Sequence, residues 1–154
     1  MKAGIEFGIL PDYLMELYAE FTPIDDAARA VVTVARHFNA HYTVFHINNN
    51  KPFYFDRLVD AAHALHIDLK VVPDAEFTAA LKETAKNTES SYVYEAFIND
   101  MDTNDKLMYD SNIRIENEFT VWYLEQLGFE WQEPDVDYLR KWVGYFVKLG
   151  YLNL

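Results

Sequence analysis

The sequence predicts an α/β remnant joined to a mainly α-helical lobe. Three observations carry this expectation. Residues 1–73 alternate helix and strand signals, the grammar of an α/β sheet. Only two strands are predicted there, too few for a stable parallel sheet alone. Residues 74–154 are more helical, more acidic and rich in aromatic side chains. No internal repeat and no low-complexity linker separates the two parts, so the expected organisation is 1–73 and 74–154.

Within the first part, residues 22–38 carry the clearest helix. Thr22 suits the N-cap, Pro23 the first turn, and Asp25 and Asp26 the positive helix start. Ile24, Ala28, Val31, Ala35 and Phe38 then recur at spacings of four and three, forming one apolar stripe. Residues 41–47 are β-branched and aromatic and read as a strand. Asn48, Asn49, Asn50, Lys51 and Pro52 form a turn signal directly after it. A helix follows, with Phe55, Leu58, Val59, Ala62 and Leu65 on one face. A short strand at residues 69–72 is stopped by Pro73.

In the second part, helices are predicted near residues 75–86, 91–100 and 117–127, the last stopped by Gly128. The final helix begins after Pro134. Its stripe is Val136, Leu139, Trp142, Val143, Phe146 and Leu149, and Gly150 closes it.

Composition excludes several functions. The formal net charge of −12 repels phosphate backbones and anionic membrane surfaces, so neither nucleic acid nor membrane is an expected partner. The chain has no cysteine, which excludes disulfides and thiolate metal sites. No apolar run reaches the roughly 20 residues a membrane span needs. Residues 1–6 lack the apolar stretch of a signal peptide and read like the interior of a longer chain. A cytoplasmic location is the expectation. Aromatics make up 16% of the chain, enough for a core of large rings and a ring-lined groove.

Several residue groups are candidates for chemistry, each with a plainer reading. His37 and His41 are four apart and His63 and His66 three apart, as metal ligands on one helical face would be. Both pairs fall at helix ends without a carboxylate to complete a set, and surface histidines explain them. His46, in the expected strand, reads as a structural hydrogen-bonding residue. Asp100, Asp102 and Asp105 resemble a calcium loop lacking its glycine and its final acid, so a solvated loop fits better. Asn48, Asn49, Asn50, Lys51 and Phe53 follow a strand end, where open α/β folds bind ligands; they are the candidate substrate-binding residues. A polar turn is the alternative.

The stretch Phe21-Thr22-Pro23-Ile24-Asp25 before an alanine-rich helix, then Val44-Phe45-His46-Ile47-Asn48-Asn49, resembles extended short-chain dehydrogenases. It is similar, more specifically, to the terminal thioester reductase domains of nonribosomal peptide synthetases and to carboxylic acid reductases. Ile9-Leu10-Pro11-Asp12 fits as well. So do Thr120, Leu124, Leu127, Gly128, Phe129 and Trp131, and then Asp135, Tyr138, Leu139, Val143, Tyr145, Phe146, Gly150 and Tyr151.

The resemblance implies the C-terminal, substrate-side portion of an extended short-chain dehydrogenase fold. It implies NADPH-dependent release of a carrier-bound peptidyl or acyl thioester as aldehyde or alcohol. The implied partners are an upstream Rossmann portion of the same polypeptide and an acyl or peptidyl carrier protein with its phosphopantetheine arm. Carrier proteins are acidic, so docking would need a basic patch. Arg140, Lys141 and Lys148 form the best cluster, with Lys106 and Arg114 as additions.

The chain departs from the family pattern in two respects. Its glycines, Gly4, Gly8, Gly128, Gly144 and Gly150, form no phosphate-binding turn, and no Tyr-x-x-x-Lys occurs. No catalytic, cofactor-binding or metal residue is therefore assigned, and the chain is not expected to be an enzyme on its own. Ile24, Val31, Val44 and Phe45 would lie against a larger sheet in such a fold, so apolar surface is expected to be exposed or buried by self-association. Two alternatives remain open: a free-standing interaction module for a carrier or acyl partner, and a fragment of a sugar-nucleotide epimerase-like enzyme.

Overall fold

The computed structural model describes residues 2–39, 41–42, 44–87, 91–104 and 115–152. In chain order the elements are α1 (Lys2–Phe7), β1 (Ile9–Pro11), a 3-10 turn (Asp12–Glu16), β2 (Tyr18–Ala19), α2 (Ile24–Arg36) and β3 (Phe53–Tyr54). They continue with α3 (Phe55–Ala64), β4 (Lys70–Val72), α4 (Asp74–Thr84), α5 (Ser91–Ile98), α6 (Glu118–Gln126) and α7 (Val136–Lys148). The chain is mainly helical with very short strands. It divides into two compact units that are not contiguous in sequence. One takes Met1–Tyr18, Tyr54–Asp110 and Asp135–Leu154, and the other Ala19–Phe53 and Ser111–Pro134. The sequence boundary at residues 73 and 74 falls inside the first unit, between β4 and α4.

In the first unit, β1 lies parallel to β4, with Ile9 opposite Lys70, Leu10 opposite Val71 and Pro11 opposite Val72. Gly8 makes this possible. At φ 77° it closes α1, its N–H bonding the Gly4 and Ile5 carbonyls, while its own carbonyl accepts from Lys70 N–H at 2.9 Å. A left-handed residue here costs a side chain strain that glycine avoids. The periodic stripe of α3 is buried through Phe55, Leu58, Val59 and Ala62, and α3 packs on α7, whose Leu139 and Val143 are buried. Leu149, the last member of the predicted α7 stripe, is exposed instead; it sits at the helix C-cap, past the contact. Phe77 of α4 stands edge-on between Phe7 and Phe97, at 5.8 and 5.7 Å between ring centroids. Burial of these rings against one another fixes α1, α4 and α5 together.

Helix ends in both units follow one pattern. Gly150 closes α7, with Tyr151 N–H on Phe146 O and Gly150 N–H on Val147 O. Gly128 closes α6 in the same way through Leu124 O and Glu125 O. His66 does so for α3, at φ 61°, a conformation that costs a residue with a Cβ.

The second unit is α2, α6 and the segments that follow them. Its core is small: Ala30, Leu124, Phe129 and Trp131, flanked by Val34, Ile47 and Val121. Three expectations change here. The helix begins at Ile24 with Pro23 at the N-cap position and no side-chain cap; Thr22 instead accepts the Asn49 N–H at 2.9 Å. The described residues of 41–47 join no ladder, because no neighbouring strand offers them backbone partners. The face of α2 turned inward is Asp26 and Ala30, so the apolar stripe lies on the opposite side. Ile24 is 85% exposed and Phe38 69%, with Val31 and Val44 also open to solvent. Phe45 is half-buried among rings. The unit therefore leaves several large apolar side chains outside beside a small core, which a free-standing small domain rarely tolerates.

Candidate functional site

A polar bracket in the second unit holds the segment that the sequence marks as substrate-binding. Asp26 opens α2, where a carboxylate favours the helix start. It is 97% buried, with 3% of its surface exposed. One of its oxygens accepts from Arg29 at 2.6 Å and the other from Gln132 N–H at 3.1 Å. Arg29 continues over the Phe129 ring at 4.9 Å. Gln132 passes the bracket on, its carbonyl accepting from Asn49 Nδ2 at 2.9 Å. Asn49 Oδ1 then accepts from Lys51 N–H at 3.0 Å. The loop is tied in four directions: to Thr22, to Gln132, within itself, and to α6 through Asn117 Nδ2 on Asn48 O at 2.7 Å.

The five candidate substrate residues consequently have different surroundings. Asn49 is buried and its side-chain groups are spent inside the protein, and Phe53 is buried with its ring 5.8 Å from Phe21. Asn50 is exposed and Lys51 half-buried. Asn48 Oδ1 is buried and accepts no hydrogen bond. The loop is rigid at Asn49 and open at Asn50. Sequence reasoning missed Asp26 as the centre of this arrangement, because a first-turn aspartate is already explained by the helix start. A groove of about 470 Å³ beside it, lined by Arg29, Val32, Arg36 and Phe129 among others, was also missed; the seven-residue spacing of the two arginines is the signal that could have shown it.

On α7 of the first unit, Arg140 pairs with Asp137 at 3.3 Å, while Lys141 and Lys148 are exposed. Seven residues apart, these lysines share one helical face, beside the exposed Tyr145 and Leu149. Lys106 and Arg114 lie outside the described residues, as does Asp105 of the calcium-like stretch; Asp102 there caps a local turn by accepting from Asn104 N–H at 2.7 Å.

Three of the five histidines have structural partners. His37 Nδ1 meets Thr33 O at 2.9 Å, His46 Nδ1 meets Glu116 O at 2.9 Å, and His63 Nε2 meets Leu69 O at 2.7 Å. Among the described residues no group of three or more His, Cys, Asp or Glu is placed to hold a metal ion. The glycines with positive φ, Gly8, Gly128 and Gly150, each close a helix, and none stands in a turn that leads into a helix start, where pyrophosphate binds. No described helix is long and apolar enough to cross a membrane.

Fold and site together define a mainly helical chain with short strands, a tied-down polar loop, a basic helix face and, among the described residues, no glycine turn leading into a helix start. No protein-family model matches the sequence, and no curated protein matches it. Solved structures do match. One is a thiolation-reductase di-domain from an archaeal non-ribosomal peptide synthetase, with a TM-score of 0.75 and 23% identity, covering 99% of this chain and 30% of that one. Another is the terminal R domain from the myxalamid PKS-NRPS biosynthetic pathway, with a TM-score of 0.75 and 15% identity, covering 99% and 38%. The chain has the fold of a portion of these reductase structures and fits the C-terminal part of such a domain. It spans about a third of their length.

Proposed function

We propose that this chain is the substrate-side portion of an NADPH-dependent thioester reductase, which releases a carrier-bound peptidyl or acyl group as aldehyde or alcohol. The observation that carries the reading is the likeness over 99% of the chain to two reductase structures of synthetase assemblies. Residues 1–73 close the α/β fold and residues 74–154 form the lobe over the substrate. NADPH and the catalytic groups belong to a nucleotide-binding portion of the same polypeptide, and the chain alone is not catalytic. The exposed α2 stripe is the surface that portion covers.

Within this reading the residues have distinct tasks. Asn50 and Lys51 line the substrate channel, where an exposed amide and an ammonium can hydrogen-bond the amide groups of a phosphopantetheine arm. Asn48, Asn49 and Phe53 hold that edge in place. Arg140, Lys141 and Lys148 dock the acidic carrier protein, and complementary charge there raises the encounter rate and fixes orientation.

The test uses the complete polypeptide and two substrates with the same acyl group, one on the carrier and one on free pantetheine. Lys141→Glu with Lys148→Glu should raise KM for the carrier-borne substrate roughly tenfold, about 1.4 kcal/mol, and leave turnover of the free thioester unchanged. Equal effects on both substrates would remove the docking role. Absence of NADPH oxidation with any acyl thioester would remove the reductase reading itself.

A further inference from the structure

The outer face of α6 combines aromatic rings with carboxylates. Between Ile115 and Pro134 the sequence holds Glu116, Glu118, Glu125, Glu130 and Glu133 and no lysine or arginine. At about 100° per residue, Trp122 lies at the centre of the solvent face, with Glu118 one turn before it and Glu125 one turn after. All three are exposed, Trp122 at 50%. Phe119 extends the surface, its centroid 6.0 Å from that of Trp122.

This platform is fixed from behind. Phe119 rests on Tyr42 at 5.0 Å and on Tyr123 at 6.1 Å, and the Tyr123 hydroxyl donates to His37 O at 2.6 Å. A surface ordered in advance loses little conformational freedom when a partner arrives. Its chemistry selects the partner. The face of an indole attracts a cation, and guanidinium both stacks on the ring and pairs with a carboxylate. An acidic carrier protein would meet uncompensated like charge here, so this surface is distinct in kind from the lysine face of α7.

We propose that the Glu118, Phe119, Trp122 and Glu125 face docks a cationic segment of a protein partner. One arginine lies on the Trp122 ring between the two glutamates, and an apolar neighbour sits on Phe119. The proposal does not depend on the reductase reading.

The whole chain, isotope-labelled, is titrated with acetyl-Leu-Arg-Ala-Leu-Arg-Leu-amide and with the same peptide carrying glutamate for arginine. The indole N–H resonance of Trp122 is identified by its loss in Trp122→Phe. The arginine peptide should shift that resonance saturably and leave those of Trp131 and Trp142 in place. Affinity should fall roughly fivefold on raising salt to about 0.5 M, where exposed charges are screened, and roughly threefold or more in Glu118→Gln with Glu125→Gln. These exposed substitutions leave the core untouched. The proposal is overturned by an equal response to the acidic peptide, by no saturable shift, or by an unchanged affinity in the double variant. It is also overturned if the resonance moves with protein concentration alone, which would mean that a second copy covers the face.

Discussion

Asp26 and His66 show what single residues do here that their sequence context hides. An aspartate in a first helical turn is explained by the helix start, yet Asp26 is buried and joins α2 to the residues that carry the candidate loop. Its hydrogen-bond partners are 3 and 106 positions away, and the longer of these links has no local signature. Asp26→Ala should therefore cost about 2 kcal/mol, since it leaves the part-buried Gln132 N–H unpaired and removes the buried partner of Arg29; the urea unfolding midpoint measures this. Asp25, exposed in the same turn, should tolerate alanine within about 0.5 kcal/mol. His66 sits where α6 and α7 use glycine. His66→Gly should raise stability by up to about 1 kcal/mol, since relief of left-handed strain outweighs the added freedom of the unfolded chain. A loss of stability would show that its imidazole makes contacts worth more than the strain.

At the scale of elements, most helices were legible and strands only in part: the strand expected at residues 69–72 is β4 (Lys70–Val72). The helices at residues 74–84, 91–98 and 118–126 stand within two residues of their predicted bounds because a 3.6-residue repeat is a local property. The cluster at residues 41–47 has strand composition but no partner strand. Ile9–Pro11, only three residues ending in proline, became a strand because β4 supplies one. The stripe of α2 was legible as a stripe, but periodicity says nothing of which face turns inward when a buried aspartate occupies the other. The α1–α5 contact adds a polar clamp that no repeat reveals: the Tyr92 hydroxyl donates to Glu6 at 3.1 Å. Desolvation by burial, then the hydrogen bond and charge of Glu6, raise the Tyr92 phenol above its ordinary value. The neutral phenol is thus favoured in the fold. Its contribution is full below the ordinary tyrosine range near pH 10 and is lost as pH rises through the raised value. Tyr92→Phe should remove a late-ionising component from the tyrosine titration followed at 295 nm.

For the whole molecule, the likeness to reductase structures and the unfinished surface of α2 agree. The second unit has a small core and leaves Ile24, Val31, Phe38 and Val44 outside, as the reductase proposal expects of a surface that another portion covers. The resemblance and the missing glycine turn led to the expectation of a chain without its nucleotide half, and the reductase proposal assigns the exposed α2 stripe as the surface that half covers. The tie between loop and α2 emerged only from the fold, since it depends on contacts between residues 22–26, 48–51 and 132. The reductase proposal places cofactor binding in a portion that this chain completes. Its most direct test is an NADPH titration by calorimetry, on the chain alone and on the polypeptide that includes the nucleotide-binding portion. The account predicts no measurable heat of binding for the chain alone and saturable binding for the longer polypeptide. Saturable NADPH binding by the chain alone would contradict it.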